Sequence, residues 1–385
     1  MRSFVTPLAA RLVPSPAAAP VAAVALAGAL AVSFVAGCST ADPDAAPAAA
    51  QAEPPASGAR PAQAGKRAIA IDCTLGDAID APTREAVVRR AEDLVAALRE
   101  GRHDALWQAL HPQAQRPEDR QAFLDTLATL AGRLEGAPAV QPRVELVAHG
   151  TVKGGINDLA RMVCRDAGSA EGPPALTVLV NAGGQDVAYV SLLIPGTVYQ
   201  HAAVLQLRDQ GGDPSTRWRL LGVQVHPSRF RGRAAVDWIN IAGTLRRENK
   251  LVPAYVALAM AGAMASRGPS VTTPLSAAID EDVAKLQAHP LFVAETKTWT
   301  VDGQDYTLHG LTLAATKSDV SLVVKYVNER GLVEDLVGRD ADKLMDHVRS
   351  QYPELTDIVD AVVFEAYATA PGKGGPTVDA FRVAR

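Results

Sequence analysis

The chain has 385 residues, of which 48% are hydrophobic and 21% are charged, and its formal net charge is −4. This composition supports hydrophobic cores and is ordinary for a globular protein, and the length leaves room for two domains. A mildly acidic chain is a poor candidate for binding nucleic acid, so we expect no nucleic-acid partner.

The N-terminus carries the features of an export signal. Arg2 and Arg11 give it a positive start, and a short apolar run follows that ends in Val35-Ala36-Gly37-Cys38. Small residues directly before a cysteine at the end of such a run resemble the lipobox of bacterial lipoproteins. The resemblance implies a signal peptide over residues 1–37 and a lipid anchor, such as palmitate, on Cys38. An ordinary secretory signal is the alternative, because small residues also precede its cleavage site.

The residues after the cysteine indicate where the protein is held. Ser39, rather than an aspartate, implies carriage to the outer membrane of a Gram-negative envelope, with the protein facing the periplasm. Residues 38–66 are rich in alanine and proline and have few large apolar side chains, so they are predicted to be an extended tether. Loss of the signal peptide, with its two arginines and no acid, moves the formal charge from −4 to −6.

Cys73 and Cys164 are the two cysteines that remain for the folded part. An even pair in an oxidising compartment favours a disulfide, and two buried free thiols are the alternative. In the chain-entropy model, a bond that closes a loop of this size stabilises the fold by roughly 4.5 kcal/mol.

Residues 67–227 are predicted to form a first folded domain. Apolar residues at helical spacing predict helices over 83–101, 106–110 and 117–136. The apolar period then changes to two, and the turns Gly183-Gly184 and Gly211-Gly212-Asp213-Pro214 mark hairpins. Helices followed by an antiparallel meander predict an α+β fold in which helices cover one face of a curved sheet.

Residues 80–227 resemble the cone-shaped nuclear transport factor 2-like superfold. The resemblance is carried by the helix-Gly-helix start from Arg84 to Leu110, which contains Asp104-Ala105-Leu106-Trp107-Gln108-Ala109-Leu110, and by the closing strand Arg217-Trp218-Arg219-Leu220-Leu221-Gly222-Val223-Gln224-Val225. It implies an interior that holds an acid–base pair such as Asp and His in the family's enzymes, and a ligand pocket or assembly surface in other members. No spacing in this sequence identifies such a pair.

The remaining chain is predicted to hold a connector and a second domain. Residues 228–290 form the helical connector, with helices over 234–245 and 254–265. In residues 291–385, strands over 292–300, 306–314 and 320–327 precede a helix over 342–352 and two final strands. This order predicts a second small α+β domain.

No metal or cofactor is predicted, because the eight histidines show no zinc-ligand spacing and no serine lies in a nucleophile motif. Asp305 and His309 lie four residues apart on a predicted strand and could form an acid–base pair, although a solvated strand face is the more ordinary explanation. The glycine-rich residues 371–376 lack the spacing of a phosphate loop and are interpreted as a hairpin tip.

The clearest basic cluster lies where the first predicted domain meets the connector. Its members are Arg217, Arg219, Arg229, Arg231 and Arg233. We interpret them as a candidate partner surface for an acidic protein or a lipid phosphate. The alternative is that these arginines pair with local acids across a domain junction.

The anchor, the tether and the absence of catalytic spacing predict a non-enzymatic, membrane-anchored envelope lipoprotein. Its domains would present a binding surface or a cone pocket to an envelope partner or a small ligand. The alternative is a hydrolase or isomerase that uses the interior of the cone-shaped domain, although no catalytic residue is predicted.

Overall fold

A computed structural model describes residues 69–135, 137, 141–152, 159–166, 173–181, 183–196, 198–213, 216–315, 319–368 and 380–384. The described chain has the mixed α+β fold that was predicted, built on a large curled sheet rich in antiparallel pairs and on a smaller sheet.

Strand β1 (Ile69–Leu75) opens the described chain, and three helices follow it: α1 (Ala81–Arg99), α2 (His103–Ala109) and α3 (Arg120–Arg133). Helix α1 begins after Asp80, whose carboxylate accepts a hydrogen bond from the backbone N–H of Thr83 at 3.0 Å. The aspartate therefore caps this helix, which was predicted to begin at Thr83. The apolar stripe predicted for this helix is confirmed by its buried residues, which include Val87, Ala91, Leu94, Val95 and Leu98.

The large sheet is formed by strands that follow these helices. They are β2 (Arg143–Gly150), β3 (Leu159–Cys164), β4 (Leu176–Asn181), β5 (Val187–Ile194), β6 (Tyr199–Asp209), β7 (Trp218–Phe230) and β8 (Arg233–Ala234). Helices α4 (Ala235–Arg247) and α5 (Leu251–Ala265) precede the short last strand, β9 (Val271–Thr272). The strand order is β8-β7-β6-β5-β2-β1-β3-β4-β9, in which β1 and β3 run parallel and the other described neighbours run antiparallel.

One face of the large sheet packs against α1, α2 and α3. Because side chains alternate between the two faces of a strand, every second residue of β5 and β6 points into this core. The sheet contributes aliphatic side chains that include Val147, Ala188, Val190, Leu192, Ile194, Ala203, Leu205, Leu207 and Leu220. Burial of each such Leu, Ile or Val stabilises the fold by about 1.5–3 kcal/mol, so this face is a hydrophobic core.

The helices also close the outer edge of β7. Arg90 Nε donates to the carbonyl of Trp218 at 3.1 Å, and Arg133 Nη1 donates to the carbonyl of Val225 at 2.9 Å. Between them, the backbone N–H of His111 donates to the carbonyl of Leu220 at 2.8 Å. Carbonyls that would be unpaired on an edge strand are therefore satisfied by the helical layer.

The smaller sheet follows helices α6 (Pro274–Gln287) and α7 (Pro290–Glu295). It comprises β10 (Thr298–Val301), β11 (Gln304–Ala315), β12 (Val320–Val327), β13 (Ala361–Tyr367) and β14 (Ala380–Ala384), and the order β10-β11-β12-β13-β14 follows the chain. Helices α8 (Glu334–Gln351) and α9 (Leu355–Ile358) connect β12 to β13, which run parallel. The strand predicted over 292–300 was wrong in its first half, because Pro290 starts a helix there and β10 begins only at Thr298.

Helix α5 is apolar on all sides and lies inside a shared core. Its buried residues run from Leu251 to Ala265, and they belong to the same hydrophobic cluster as Phe230, Trp299 and Phe364. Residues of the predicted connector and of the C-terminal sheet therefore pack in one core.

Candidate functional site

The disulfide predicted between Cys73 and Cys164 is present. The two residues face each other in the parallel pair of β1 and β3, with their Cα atoms 4.8 Å apart. The bond fixes β1, the first described strand, to the middle of the large sheet.

The end of β7 forms a tight basic hairpin. The turn Arg231-Gly232 joins β7 to β8, so that Phe230 faces Arg233 and Arg229 faces Ala234. Arg231 and Gly232 have φ angles of 49° and 77°, as in a type I′ turn. Glycine and asparagine are the usual residues in this left-handed region, so an arginine is uncommon there. We call residues 229–234 the arginine hairpin.

Aromatic rings hold two guanidinium groups of this hairpin. Arg231 lies over the ring of Phe230 at 5.0 Å, and Arg233 lies over the ring of Trp238 at 5.2 Å. Cation–π contacts of this kind contribute about 0.5–1 kcal/mol at exposed sites. They limit the motion of side chains that would otherwise be flexible.

The three arginines of the hairpin differ in their partners. Arg231 pairs with Asp360, whose second carboxylate oxygen accepts the backbone N–H of Val320 at 2.8 Å. This contact links the large sheet to the smaller one. Arg229 donates to the carbonyl of Gly232 at 3.3 Å, and within the described chain neither Arg229 nor Arg233 has an acidic partner.

The other two arginines of the predicted surface lie at the start of β7. Arg217 pairs with Asp209, and Arg219 donates to Gln210 Oε1 at 2.9 Å and to the carbonyl of Gln108 at 3.2 Å. Strand β7 has 13 residues, so at about 3.3 Å per residue its ends are roughly 40 Å apart. The five arginines therefore form two groups. Among the described residues, Arg229 and Arg233 of the hairpin group have no acidic partner, and Arg219 of the other group is held by an amide oxygen and a backbone carbonyl.

The described chain begins at the end of the large sheet that is remote from the arginine hairpin. Cys73 faces Gly150 at the end of β2, and Ile69 lies further out in the same direction. Arg229 faces Gln200 at the start of β6, which belongs to the opposite end. The residues that precede Ile69 therefore join the sheet far from the hairpin.

A second polar group lies at this remote end of the sheet. His149 Nε2 is 3.6 Å from Asp186 Oδ2, and the other oxygen of Asp186 accepts the backbone N–H of Val152 at 2.9 Å. The His149 ring meets Trp218 edge-on, with ring centroids 5.8 Å apart. An oriented Asp–His pair of this kind is able to move a proton.

His111 and Arg208 lie beside this pair and are both buried. The backbone N–H of Gln113 donates to His111 Nδ1 at 3.3 Å, so the Nε2 atom carries the proton and donates to Gln185 Oε1 at 3.2 Å. Burial lowers the pKa of His111, and the charge of Arg208 lowers it further. Arg208 donates to Gln113 Oε1 at 2.7 Å. This group thus contains a neutral imidazole within a hydrogen-bonded network.

No sequence pattern singles out His149, Asp186, His111 or Arg208, because they lie on separate elements with no common spacing. Asp305 and His309, the possible acid–base pair of the sequence, lie on the exposed face of β11. Asp305 accepts a hydrogen bond from the Thr300 hydroxyl at 2.6 Å, and no ion pair joins it to His309 among the described contacts. This arrangement fits a solvated strand face.

Other predicted features lie outside the described residues. They are the signal peptide, Cys38, the tether and the glycine-rich loop over residues 371–376. In the part of the chain that is described, no helix is both long and apolar enough to cross a membrane. The same ranges contain no cluster of three or more His, Cys, Asp or Glu side chains able to hold a metal ion.

Comparisons with known proteins found no relative of this chain. No protein-family model, no curated protein and no solved structure matches it.

Proposed function

We propose that this chain is a lipid-anchored protein of the bacterial cell envelope that binds an acidic envelope partner through its arginine hairpin and is not an enzyme. The observation that carries the proposal is the pair Arg229 and Arg233, which have no acidic partner in the described chain. A guanidinium group offers a planar fork of donors that fits a carboxylate, so the matching surface carries Asp or Glu side chains.

The position of the hairpin supports a partner away from the anchoring membrane. In the proposed arrangement, lipid on Cys38 holds the protein and residues 38–66 form the tether. That tether joins the sheet at Ile69, at the end remote from the hairpin. The hairpin therefore projects away from the attachment point, and Val236, 54% exposed, adds an apolar contact beside it.

The fold is compatible with the family resemblance that we propose for residues 67–227. A curled sheet with three helices on one face is the arrangement expected of a nuclear transport factor 2-like domain. We further propose residues 228–290 as a helical connector and residues 291–385 as a second small α+β domain, whose sheet packs on α5. In this scheme the arginine hairpin lies where the two parts meet, through the Arg231–Asp360 pair.

Site-specific photo-cross-linking in living cells tests the proposed surface. A photoreactive residue at position 236 should form an adduct with one envelope protein reproducibly, and the double charge reversal Arg229→Glu with Arg233→Glu should abolish that adduct. The same photoreactive residue at Val333, which is 61% exposed in another part of the molecule, is the matched control. An adduct at position 236 that survives the charge reversal would contradict a role for the arginines.

The anchor is tested separately by Cys38→Ala. The variant should lack lipid and should be lost from membrane fractions after a high-salt wash, because the described chain offers no helix that could hold it there. A variant that stays with the membrane after the wash would overturn the lipid anchor and would leave the cross-linking result unaffected.

The second candidate function, a hydrolase or isomerase, is favoured by one observation, the Asp186–His149 pair. The interior of the helix-covered face does not support it, since aliphatic side chains fill that space. A panel of ester and amide probes decides between the two functions. Hydrolysis by the wild type that His149→Gln abolishes would replace the binding proposal with an enzyme.

A further inference from the structure

We propose that the groove between α1 and α2 binds a small carboxylate that also carries a hydrogen-bond donor, such as an amino acid or a hydroxy acid. The groove has a volume of about 240 Å³. Arg90, Asp93 and Arg102 line it together with an apolar wall. It lies on the helical layer and does not include the arginine hairpin, so this proposal is independent of the proposed function.

The space exists because the facing helices carry small residues. Helix α1 contributes Ala96 and Ala97, and helix α2 contributes Ala105 and Ala109. A larger side chain at any of these positions would occupy part of the groove. Because these alanine side chains are short, the groove has room for a ligand side chain of a few carbon atoms. Leu94 contributes a further apolar contact.

Arg90 is held in a fixed position at the groove. Its Nε atom donates to the carbonyl of Trp218 at 3.1 Å, and no hydrogen bond of the described chain uses its two Nη atoms. Burial lowers the pKa of Arg90, the charge of Arg219 lowers it further, and the charge of Asp93 offsets part of this effect. Arg102 donates from Nε to Glu100 at 2.5 Å, and no hydrogen bond of the described chain uses its Nη atoms. A partly buried guanidinium such as that of Arg90 is stabilised by an anion, and a planar carboxylate suits its donors.

The remaining polar group defines the second part of the ligand. Asp93 lines the same groove and offers carboxylate oxygens, which accept hydrogen bonds. A bare anion such as phosphate would meet repulsion from Asp93. A molecule that presents a carboxylate to Arg90 and Arg102 and an ammonium or hydroxyl group to Asp93 satisfies both charges. The chemistry of the lining therefore favours a small amino or hydroxy acid.

Calorimetric titration of the mature chain with an isosteric series tests this assignment. The probes are L-valine, 2-hydroxyisovalerate, isovalerate and isobutylamine, with inorganic phosphate as a further anion. We expect the first two to bind, isovalerate to bind at least tenfold more weakly, and isobutylamine and phosphate to give no signal. Equal binding of phosphate and valine would overturn the assignment, as would the absence of any binding by the two substituted acids at millimolar concentration.

Variants locate the binding in the groove. Ala105→Leu should fill the space while keeping all three charged groups, and it should abolish binding. Arg90→Met and Arg102→Gln should each weaken binding of both substituted acids at least tenfold. Asp93→Asn should reduce the preference for L-valine over isovalerate.

Arg90→Met also removes a hydrogen bond to β7, so Ala105→Leu is the decisive variant, with its fold checked by circular dichroism. Unchanged affinity in a folded Ala105→Leu protein would place the ligand elsewhere and refute the proposed site.

Discussion

Arg133, in the last turn of α3, donates from Nη1 to the backbone carbonyl of Val225 at 2.9 Å and so fastens the helical layer to the edge of β7. Arg90 makes the equivalent contact from α1 to Trp218. Burial lowers the pKa of the Arg133 guanidinium, because the charge is partly removed from water. An edge strand with open carbonyls is a template for pairing with other chains, so these arginines also protect the edge.

Replacement of this contact should destabilise the protein. Arg133→Met keeps an unbranched side chain but leaves the Val225 carbonyl without its donor. We expect a loss of about 1–3 kcal/mol in the free energy of unfolding, the usual cost of an unsatisfied buried group. Urea denaturation followed by circular dichroism measures it. Arg89→Met, at an exposed position of α1, is the control and should change the free energy by less than about 0.5 kcal/mol. Equal stability of the two variants would contradict the role of Arg133.

The sequence predicted the elements well and their pairing poorly. Apolar periodicity was enough for α1 and for the strands on either side of Gly183-Gly184, because each period reflects one buried face. The hairpin predicted at Gly183-Gly184 was wrong, because β4 pairs with β3 and β9 whereas β5 pairs with β2 and β6. No local pattern shows that β1 lies parallel to β3, although that pairing brings Cys73 opposite Cys164. The disulfide was predicted from the number of cysteines and their compartment alone.

The arginines are a second example in which the sequence did not predict which residues lie close together in the fold. Arg217 and Arg229 were grouped because they are near in sequence, yet an extended strand separates residues at about 3.3 Å each. Arg90 and Arg133 were not predicted to have any role, because a hydrogen bond from a helical arginine to a distant strand produces no pattern of residue spacing in the sequence. His149 and Asp186 were likewise found only when the sheet brought two strands together. Each of these sites is formed by residues that are distant in sequence and that the folded sheet brings together.

The disulfide should make a large contribution to stability. The bond joins residues 91 apart, and the chain-entropy model gives about 4.6 kcal/mol for a loop of that length. Replacing both Cys73 and Cys164 with alanine should lower the free energy of unfolding by about 2–5 kcal/mol. Urea denaturation of wild type and variant measures the difference, and non-reducing peptide mass mapping shows the bond directly. Two free thiols in protein exported to the envelope would contradict the assignment.

The buried His226 and the half-buried His201 should make stability fall in mild acid. Burial lowers the pKa of His226 to about 4, and the charges of Arg267, Arg133 and His201 lower it further. Burial likewise lowers the pKa of His201 to about 4, with Arg133 adding to the effect. Between pH 6.5, the ordinary pKa of histidine, and pH 4, the unfolded chain binds more protons than the folded chain. The contribution of these residues is therefore complete above pH 6.5 and is lost as the pH falls towards 4.

Denaturation at pH 7 and pH 5 tests this dependence while carboxylates stay largely ionised. We expect the free energy of unfolding to drop by about 2 kcal/mol for each histidine between these values. His226→Gln should remove its share of the drop, whereas His309→Gln, at an exposed position, should leave the drop unchanged. A wild type with equal stability at pH 7 and pH 5 would show that these histidines do not titrate as described.

A buried carboxylate holds the smaller sheet to α8. Asp340 is 2% exposed, and it accepts hydrogen bonds from the Tyr306 hydroxyl at 2.9 Å and from Asn328 Nδ2 at 3.1 Å. It also pairs with Arg330, which is partly exposed. The carboxylate thus joins the helix to β11 and to the segment after β12, and each of its oxygens has a partner.

Removal of this carboxylate should cost more than removal of any exposed one. Asp340→Ala leaves the Tyr306 hydroxyl, the Asn328 amide and the Arg330 guanidinium without their acceptor. A buried ion pair that loses one partner typically costs about 3–5 kcal/mol, and we expect a loss in that range. Denaturation measures the loss, and hydrogen exchange should show faster opening of β11 and β12. Asp346→Ala, on the same helix with a side chain 80% exposed, is the matched control and should change stability by less than about 0.5 kcal/mol. A small loss for Asp340→Ala would mean that water replaces the carboxylate, and the network would then contribute little to holding α8 in place.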